Sequence, residues 1–460
     1  MTAEARGSGI FARLARNLGW LAGSRGFTGV TSLAYLAIAA RTLGPIGFGA
    51  FTLVLTYGQL IANFAQFQSW KGVIRYGAVH VTAGQPHRLA RLFGFTATLD
   101  LAAGVLGAVV AVLAVPLAAP PLHWDAAQQQ SAQLFAAVLL LTTGTTPSGM
   151  LRLFDRFDLL AYTEALSPAI RLIGSIAAWA SGAGVGAFLA VWVSAAAVQM
   201  IAQWIAALML QSPRPVFGRR GLIAAVHENH RIWRFMIQTN ISSSLSVFWM
   251  QLGTLAVGSV AGPVEAGGFR MAQRLAKGIT NPVETATRAL YPEFARLVAE
   301  DDHKKLRHVL VRVCSIAAAL ASLAVVATGM AGAAILGFVA GPDFAFAHEF
   351  LFLLSIAAAI DLAEFALEPF HDAHGRAGRV LRIRAVGALV YLVLLGLLLP
   401  TLGARGAALA AIGTSLVIFA QFAISSMQIL NRTVDCSREP SFQKTSPSVA
   451  PSAGVRRDPK

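Results

Sequence analysis

The sequence predicts an all-α membrane protein of twelve transmembrane helices in two six-helix lobes related as parallel repeats. Three observations predict it. Apolar stretches recur along nearly the whole chain, positive charge alternates between the segments joining them, and short motifs return at an almost constant offset.

The apolar stretches come first. Of the 460 residues, 56% are hydrophobic and only 13% charged, against roughly 25% charged in a soluble domain. Runs of about 20 residues recur from Leu18 to Leu430, each able to cross a hydrocarbon core of about 30 Å. Lipid offers no water to backbone groups, so these runs must be helices. They fall at 18–40, 48–70, 93–118, 132–151, 159–180, 184–210, 232–258, 265–290, 313–340, 347–370, 380–401 and 404–430. The opening residues do not form a signal peptide, because the apolar run continues to Ala40, too long for a signal core. Within residues 1–17, the stretch from Ile10 leads to Leu18 as a short interfacial helix. It would turn Phe11, Leu14 and Leu18 to lipid and Arg13 and Arg16 to headgroups.

Net charge is +15, but its distribution speaks for a membrane rather than for nucleic acid. One alternating set of segments, tail included, carries 29 Lys and Arg; the other carries Arg41 and Arg405 alone. The positive-inside rule therefore places both termini in the cytoplasm. Residues 18–210 form the first lobe, the basic segment 211–231 a cytoplasmic linker, and 232–430 the second lobe. Residues 431–460, rich in Ser, Pro and charge, read as a disordered cytoplasmic tail. The two cysteines, Cys314 and Cys436, imply no disulfide framework and no metal site.

The repeat is short but consistently placed. GPIGFGAF (Gly44 to Phe51) follows the first span and GPVEAGGF (Gly262 to Phe269) the seventh, 218 residues on. GAFLA (Gly186 to Ala190) and GAALA (Gly406 to Ala410) match at an offset of 220, between equivalent spans. Six spans per half give both halves one orientation, so the repeats relate by an axis along the membrane normal, with a solute path between them.

Ionisable residues inside spans cost about 2.5–3.5 kcal/mol each on insertion and so mark functional positions. The eighth span holds Arg270, Arg274, Lys277, Asn281, Glu284 and Arg288, spaced 4, 3, 4, 3 and 4, which puts all six on one helix face. Such a stripe must face a watery cavity or the other half. Arginine offers phosphate a planar fork and lysine a point charge, so the stripe suits an anionic solute. Alternatively it pairs with Asp361, Glu364 and Glu368, which share a face of the tenth span; these three acids are also candidates for ion coupling. Arg25 in the first span could meet a solute entering from the cytoplasm. Glu164 and Arg171, seven apart in the fifth span, read equally as an ion pair or as solute contacts, and Asp100 as polar glue rather than a cation site.

Other signals carry less. The HDAH run at His371 to His374 lacks further ligands and reads as a solvated loop rather than a metal site. No phosphate-binding Gly-rich loop with Lys-Ser/Thr is present, nor a nucleophile with base and orienter. The expectation is a protein that is not an enzyme and needs no cofactor.

A family resemblance emerges from several segments together: ARTLGPIGFGAFTL (Ala40 to Leu53), SWKGVIRYG (Ser69 to Gly77), the span from Glu265 to Leu297, FVAGPDFAFAHEFL (Phe338 to Leu351) and LPTLGARGAALA (Leu399 to Ala410). With these the sequence resembles the polysaccharide-transporter (O-antigen flippase-like) branch of the multidrug/oligosaccharidyl-lipid/polysaccharide exporter superfamily. The resemblance implies a V-shaped pair of lobes in the bacterial inner membrane. It implies transfer of undecaprenyl-diphosphate-linked oligosaccharide from the cytoplasmic to the periplasmic leaflet, for O-antigen or exopolysaccharide, with polymerase and assembly proteins as partners. Arg25, Arg270 and Arg274 match, by helix and face, the cavity arginines that meet the diphosphate in relatives. A cation-coupled drug or metabolite antiporter of the same fold is the competing expectation.

Overall fold

The computed structural model describes the backbone of residues 3–210, 213–300 and 302–436; the side chains described leave out 3–27, 245–250, 280–289, 431–436 and several single positions. Among the described residues every regular element is helical. The N-terminal half comprises α1 (Ala3–Ala65), α2 (Ser69–Thr82), α3 (Pro86–Ala118), α4 (Ala126–Leu141), α5 (Thr146–Leu153), α6 (Phe157–Ala180) and α7 (Val185–Leu208). After the short α8 (Arg219–Glu228) come α9 (Ile232–Ala261), α10 (Pro263–Ala299) and α11 (His303–Ala340). A 3-10 turn (Pro342–Ala347) then leads to α12 (His348–Glu364), α13 (Leu367–Ala373), α14 (Ala377–Leu402) and α15 (Ala404–Cys436). Eight segments among the described residues are long and apolar enough to cross a membrane, and the chain is a multi-pass membrane protein. The rest of the tail lies outside the described residues.

The repeated glycine-proline step explains how two helical limbs join within α1. Gly44 adopts φ 63° and ψ 179° inside it, a left-handed backbone that favours glycine, and Pro45 opens the returning limb as a first-turn residue. Gly262 takes the same backbone, φ 89° and ψ 175°, between α9 and α10, with Pro263 at the first position of α10. The two motifs then pack on each other. A Cβ on Gly49 would collide with the Pro263 carbonyl, and one on Gly267 would stand 3.1 Å from the Gly49 Cα. Gly49 and Gly267 are themselves 218 residues apart, so equivalent positions of the two motifs meet, as they do across a two-fold axis.

Side-chain packing follows that seam. One large core joins the ends of the helices around it: Phe48 lies edge-on to Phe344 at 5.5 Å between ring centroids, and buried Phe51, Phe188, Phe269 and Leu336 belong to the same cluster. Arg41 hydrogen-bonds the carbonyls of Phe338 and Val339 at the end of α11, where a helix C-terminus favours a cation. Arg405 pairs with Glu349 at 2.8 Å. Both cations of the sparsely charged side are thus engaged.

At the opposite end, which carries the basic segments, the core divides. Phe294, Leu306, Phe370, Ile383 and Phe422 form one cluster from α10, α11, α13, α14 and α15. Val73, Phe93, Met150, Ala225 and Met236 form another from α2, α3, α5, α8 and α9. Among the described side chains, one core therefore spans the Gly44 and Gly262 end, and two separate cores lie toward the other, more open end. The first half of α9 stays with the N-terminal set at that open end: Lys71 donates to Ser243 at 3.1 Å and Ser244 to the Asn63 carbonyl at 2.7 Å.

Two shorter segments pack onto the long helices. The linker carries α8, docked on α3: the Val216 N–H donates to the Ala90 carbonyl at 3.0 Å, and Arg91 grips Glu228 through both carboxylate oxygens, at 3.1 and 2.5 Å. The HDAH run is not a solvated loop. His371 is wholly buried on α13, with Nδ1 2.7 Å from the Leu367 carbonyl and Nε2 2.8 Å from Ser425 Oγ. A short break after Glu364 turns α13 inward, so a polar run in sequence becomes a packed, hydrogen-bonded face.

Candidate functional site

The site is built where α1, α6 and α7 face α9 and α10, on the open side of the glycine seam. Phe269, Met271 and Ala272 anchor α10 in the shared core with at most 1% exposure. That register turns Arg270 toward α1, and Arg270 and Arg274 are both half-buried. Arg270 reaches three amides: Gln251 on α9 and Gln273 on its own helix from Nη1, each at 3.3 Å, and Gln59 on α1 from Nη2 at 3.3 Å. Gln251 in turn donates to Gln59 at 3.1 Å. A guanidinium held by neutral amides keeps its full charge, because amide oxygens satisfy N–H groups without neutralising them.

Arg171 completes the group from α6. Its guanidinium carbon lies 3.7 Å from the centroid of the Trp192 ring and 5.9 Å from that of Tyr35, a cation–π arrangement. Its Nε is buried and makes no hydrogen bond among the described residues. Arg171 and Arg270 both sense the charge of Arg274 and the phenol of Tyr35, so the three cations share one space. None of them has a carboxylate within salt-bridge distance among the described residues. Three guanidiniums gathered at membrane depth without an acid leave a field that an anion relieves.

The sequence-predicted residues separate into distinct groups. Arg270, Arg274 and Arg171 come together, and Lys277 sits half-buried next along the α10 face. The side chains of Arg25, Asn281, Glu284 and Arg288 lie outside the described residues. Glu164 does not pair with Arg171; its carboxylate faces Arg152 at 3.4 Å, and Arg152 lies over the Trp70 ring at 4.3 Å. Among the described residues, no acid of the tenth span pairs with Arg270 or Arg274. Glu364, 2% exposed, pairs with Arg384 of α14 at 3.3 Å, and Glu368 pairs with the same guanidinium at 2.7 Å. Asp361 lies beside Ser415.

Asp100 is buried glue. One oxygen accepts from Ser69 Oγ at 2.5 Å; the other accepts the N–H groups of Thr145 and Thr146, each at 2.8 Å, and Thr146 Oγ1 at 2.7 Å. The carboxylate thereby caps the start of α5 and ties it to α2 and α3. Sequence reasoning missed Gln59, Gln251, Tyr35 and Trp192. The available signal was their polar or amphipathic character inside otherwise apolar spans.

Comparison with known proteins fixes the family. Residues 14–298 match the model of the family described as polysaccharide biosynthesis protein. The chain belongs to that family. It is 28% identical over 347 residues to the inner membrane protein YghQ of Escherichia coli (strain K12), covering 75% of this chain and 97% of that protein. Its fold is shared with an inward-facing multidrug resistance MATE family transporter of the MOP superfamily. The TM-score is 0.71 at 15% identity, over 89% of this chain and 96% of that one. It is also shared with the lipid II flippase MurJ in an inward closed conformation, with a TM-score of 0.67 at 10% identity over 90% of this chain and 89% of that one.

Proposed function

We propose that this family member is a transporter of polysaccharide precursors that flips a polyprenyl-diphosphate-linked glycan, undecaprenyl-linked oligosaccharide, from the cytoplasmic to the periplasmic leaflet of a bacterial inner membrane. Twelve spans form lobes at 18–210 and 232–430, both termini are cytoplasmic, and the lobes rock about the Gly49–Gly267 seam to expose the site alternately. The diphosphate binds Arg171, Arg270 and Arg274, with Arg25, Lys277 and Arg288 extending the basic path, while the prenyl chain stays in lipid. The observation that carries this reading is the acid-free arginine trio at the seam between halves. A cation-coupled drug antiporter would need a cavity acid. Here the Asp100 oxygens are filled by four donors, Glu164 pairs with Arg152, Glu364 and Glu368 pair with Arg384, and Asp361 lies beside Ser415.

The test is charge replacement with two readouts, membrane abundance and surface glycan. Arg270→Gln and Arg274→Gln should abolish glycan export at normal abundance, with Arg274→Lys intermediate because lysine keeps charge but loses the fork. Export that persists in the doubly neutralised protein would overturn the reading.

A further inference from the structure

Two turns from the arginine trio, on the same three helices, lies a second polar chamber. It is a cavity of about 290 Å³ between the α1–α2 break, the α4–α5 break, α6 and α7, near the lower end of the ~300–1,000 Å³ range of ligand pockets. Its placement can be read from residue numbers. Gln59, Arg171 and Trp192 stand at the trio; Gln66, Glu164 and Gln199 line the chamber, each seven residues away along its own helix. Seven residues return to the same helix face and advance about 10 Å. The returning limb of α1 and α7 both lead away from the shared core, whereas α6 runs toward it, and the displacement has the matching sign on all three. The chamber is therefore displaced from the trio toward the open end.

Its lining differs in kind from the trio. The Trp70 indole forms one wall, with its Nε1–H donated to Gln68 at 2.9 Å and Arg152 over its ring. Arg152 and Glu164 pair with each other, so cation and anion both stand in the chamber. Gln203, 6% exposed, lines it and makes no hydrogen bond among the described residues. An amide that opens into a cavity of this size without a protein partner offers a ligand both donor and acceptor. An aromatic plate, primary amides and a paired Arg–Glu offer adjacent donors and acceptors with a flat apolar surface. Neutral polyols with apolar ring faces match that set, whereas an anion would meet Glu164 and a hydrocarbon would strand the amides.

We infer that this chamber is a subsite for one neutral sugar ring of the transported head group, held while the arginine trio holds the diphosphate. The assignment rests on the flippase reading, and the two are separable by probe. Purified full-length protein is followed by thermal unfolding with inorganic pyrophosphate, and separately with a panel of neutral hexoses and N-acetylhexosamines. At least one sugar should stabilise saturably, as a ligand of the native state does. Gln203→Leu and Trp70→Ala should each weaken that sugar at least tenfold and leave the pyrophosphate response intact. Trp70→Phe, which keeps a ring, should retain most of it and guards against misfolding of the alanine variant. Arg171→Gln with Arg270→Gln should remove the pyrophosphate response and spare the sugar. The subsite is refuted if no sugar in the panel stabilises, if the sugar response survives Gln203→Leu and Trp70→Ala, or if Gln203→Leu abolishes the pyrophosphate response. Sugar binding without any pyrophosphate response would instead sink the diphosphate reading and leave the sugar chamber standing.

Discussion

Replacing Asp100 by alanine should unfold the α2–α3–α5 junction before it affects transport chemistry. Four donors converge on this carboxylate, which is 8% exposed. Alanine strands all of them in a buried setting. A hydrogen bond to a charged group contributes about 1.5–3 kcal/mol and a lost helix cap about 0.5–2 kcal/mol. The terms are not additive within one network, so the expected loss for Asp100→Ala is about 3–5 kcal/mol. Asp100→Asn behaves differently. Its amide oxygen can replace the carboxylate oxygen that takes three donors, and its NH2 can donate to Ser69 Oγ if that hydroxyl rotates. The expected loss is about 1–2 kcal/mol, with Ser69→Ala of similar size. Thermal unfolding of detergent-purified variants gives the ranking, and surface glycan per unit of membrane protein gives the activity. The account predicts that Asp100→Asn still exports. An Asp100→Asn protein as stable as the parent but devoid of export would show that the negative charge serves transport, and the reasoning from hydrogen bonds would fail.

Two further outcomes follow from the fold. His371→Ala should cost about 2–4 kcal/mol, because it empties a buried site and strands Ser425 Oγ; melting should fall by several degrees with His371→Gln in between. Gly49→Val should force the Pro263 turn away and open the shared core, so a membrane-impermeant thiol reagent added outside should label a cysteine placed at Phe48 much faster than in the Gly49 parent. Unchanged labelling would remove the seam from the mechanism.

The helical scaffold was legible because its signals are local. Apolar runs and the Gly-Pro steps at Gly44 and Gly262 depend on a few neighbouring residues. That α10 turns Arg270 toward the first half was legible for the same reason, since spacing fixes a helix face. Partnership was not. Glu164 and Arg171 share a face yet bind Arg152 and Trp192, because each side chain answers to a different neighbouring helix. Pairing of Glu364 and Glu368 with the stripe was the alternative reading, but both carboxylates pair with Arg384 on α14. His371 was misjudged from polarity alone. A hydrogen bond with Ser425, far away in sequence, makes that segment part of the packed protein.

The central claim is that the arginine trio carries an anionic lipid head across the membrane. The direct measurement is translocation of undecaprenyl-diphosphate-linked oligosaccharide in proteoliposomes, comparing the parent with the Arg270→Gln, Arg274→Gln double variant at matched incorporation. Each lost charge-assisted contact is expected to cost about 1.5–3 kcal/mol, roughly 10- to 100-fold in rate for each residue. The account predicts translocation by the parent and background rates in the folded double variant. Equal rates in the two would contradict it.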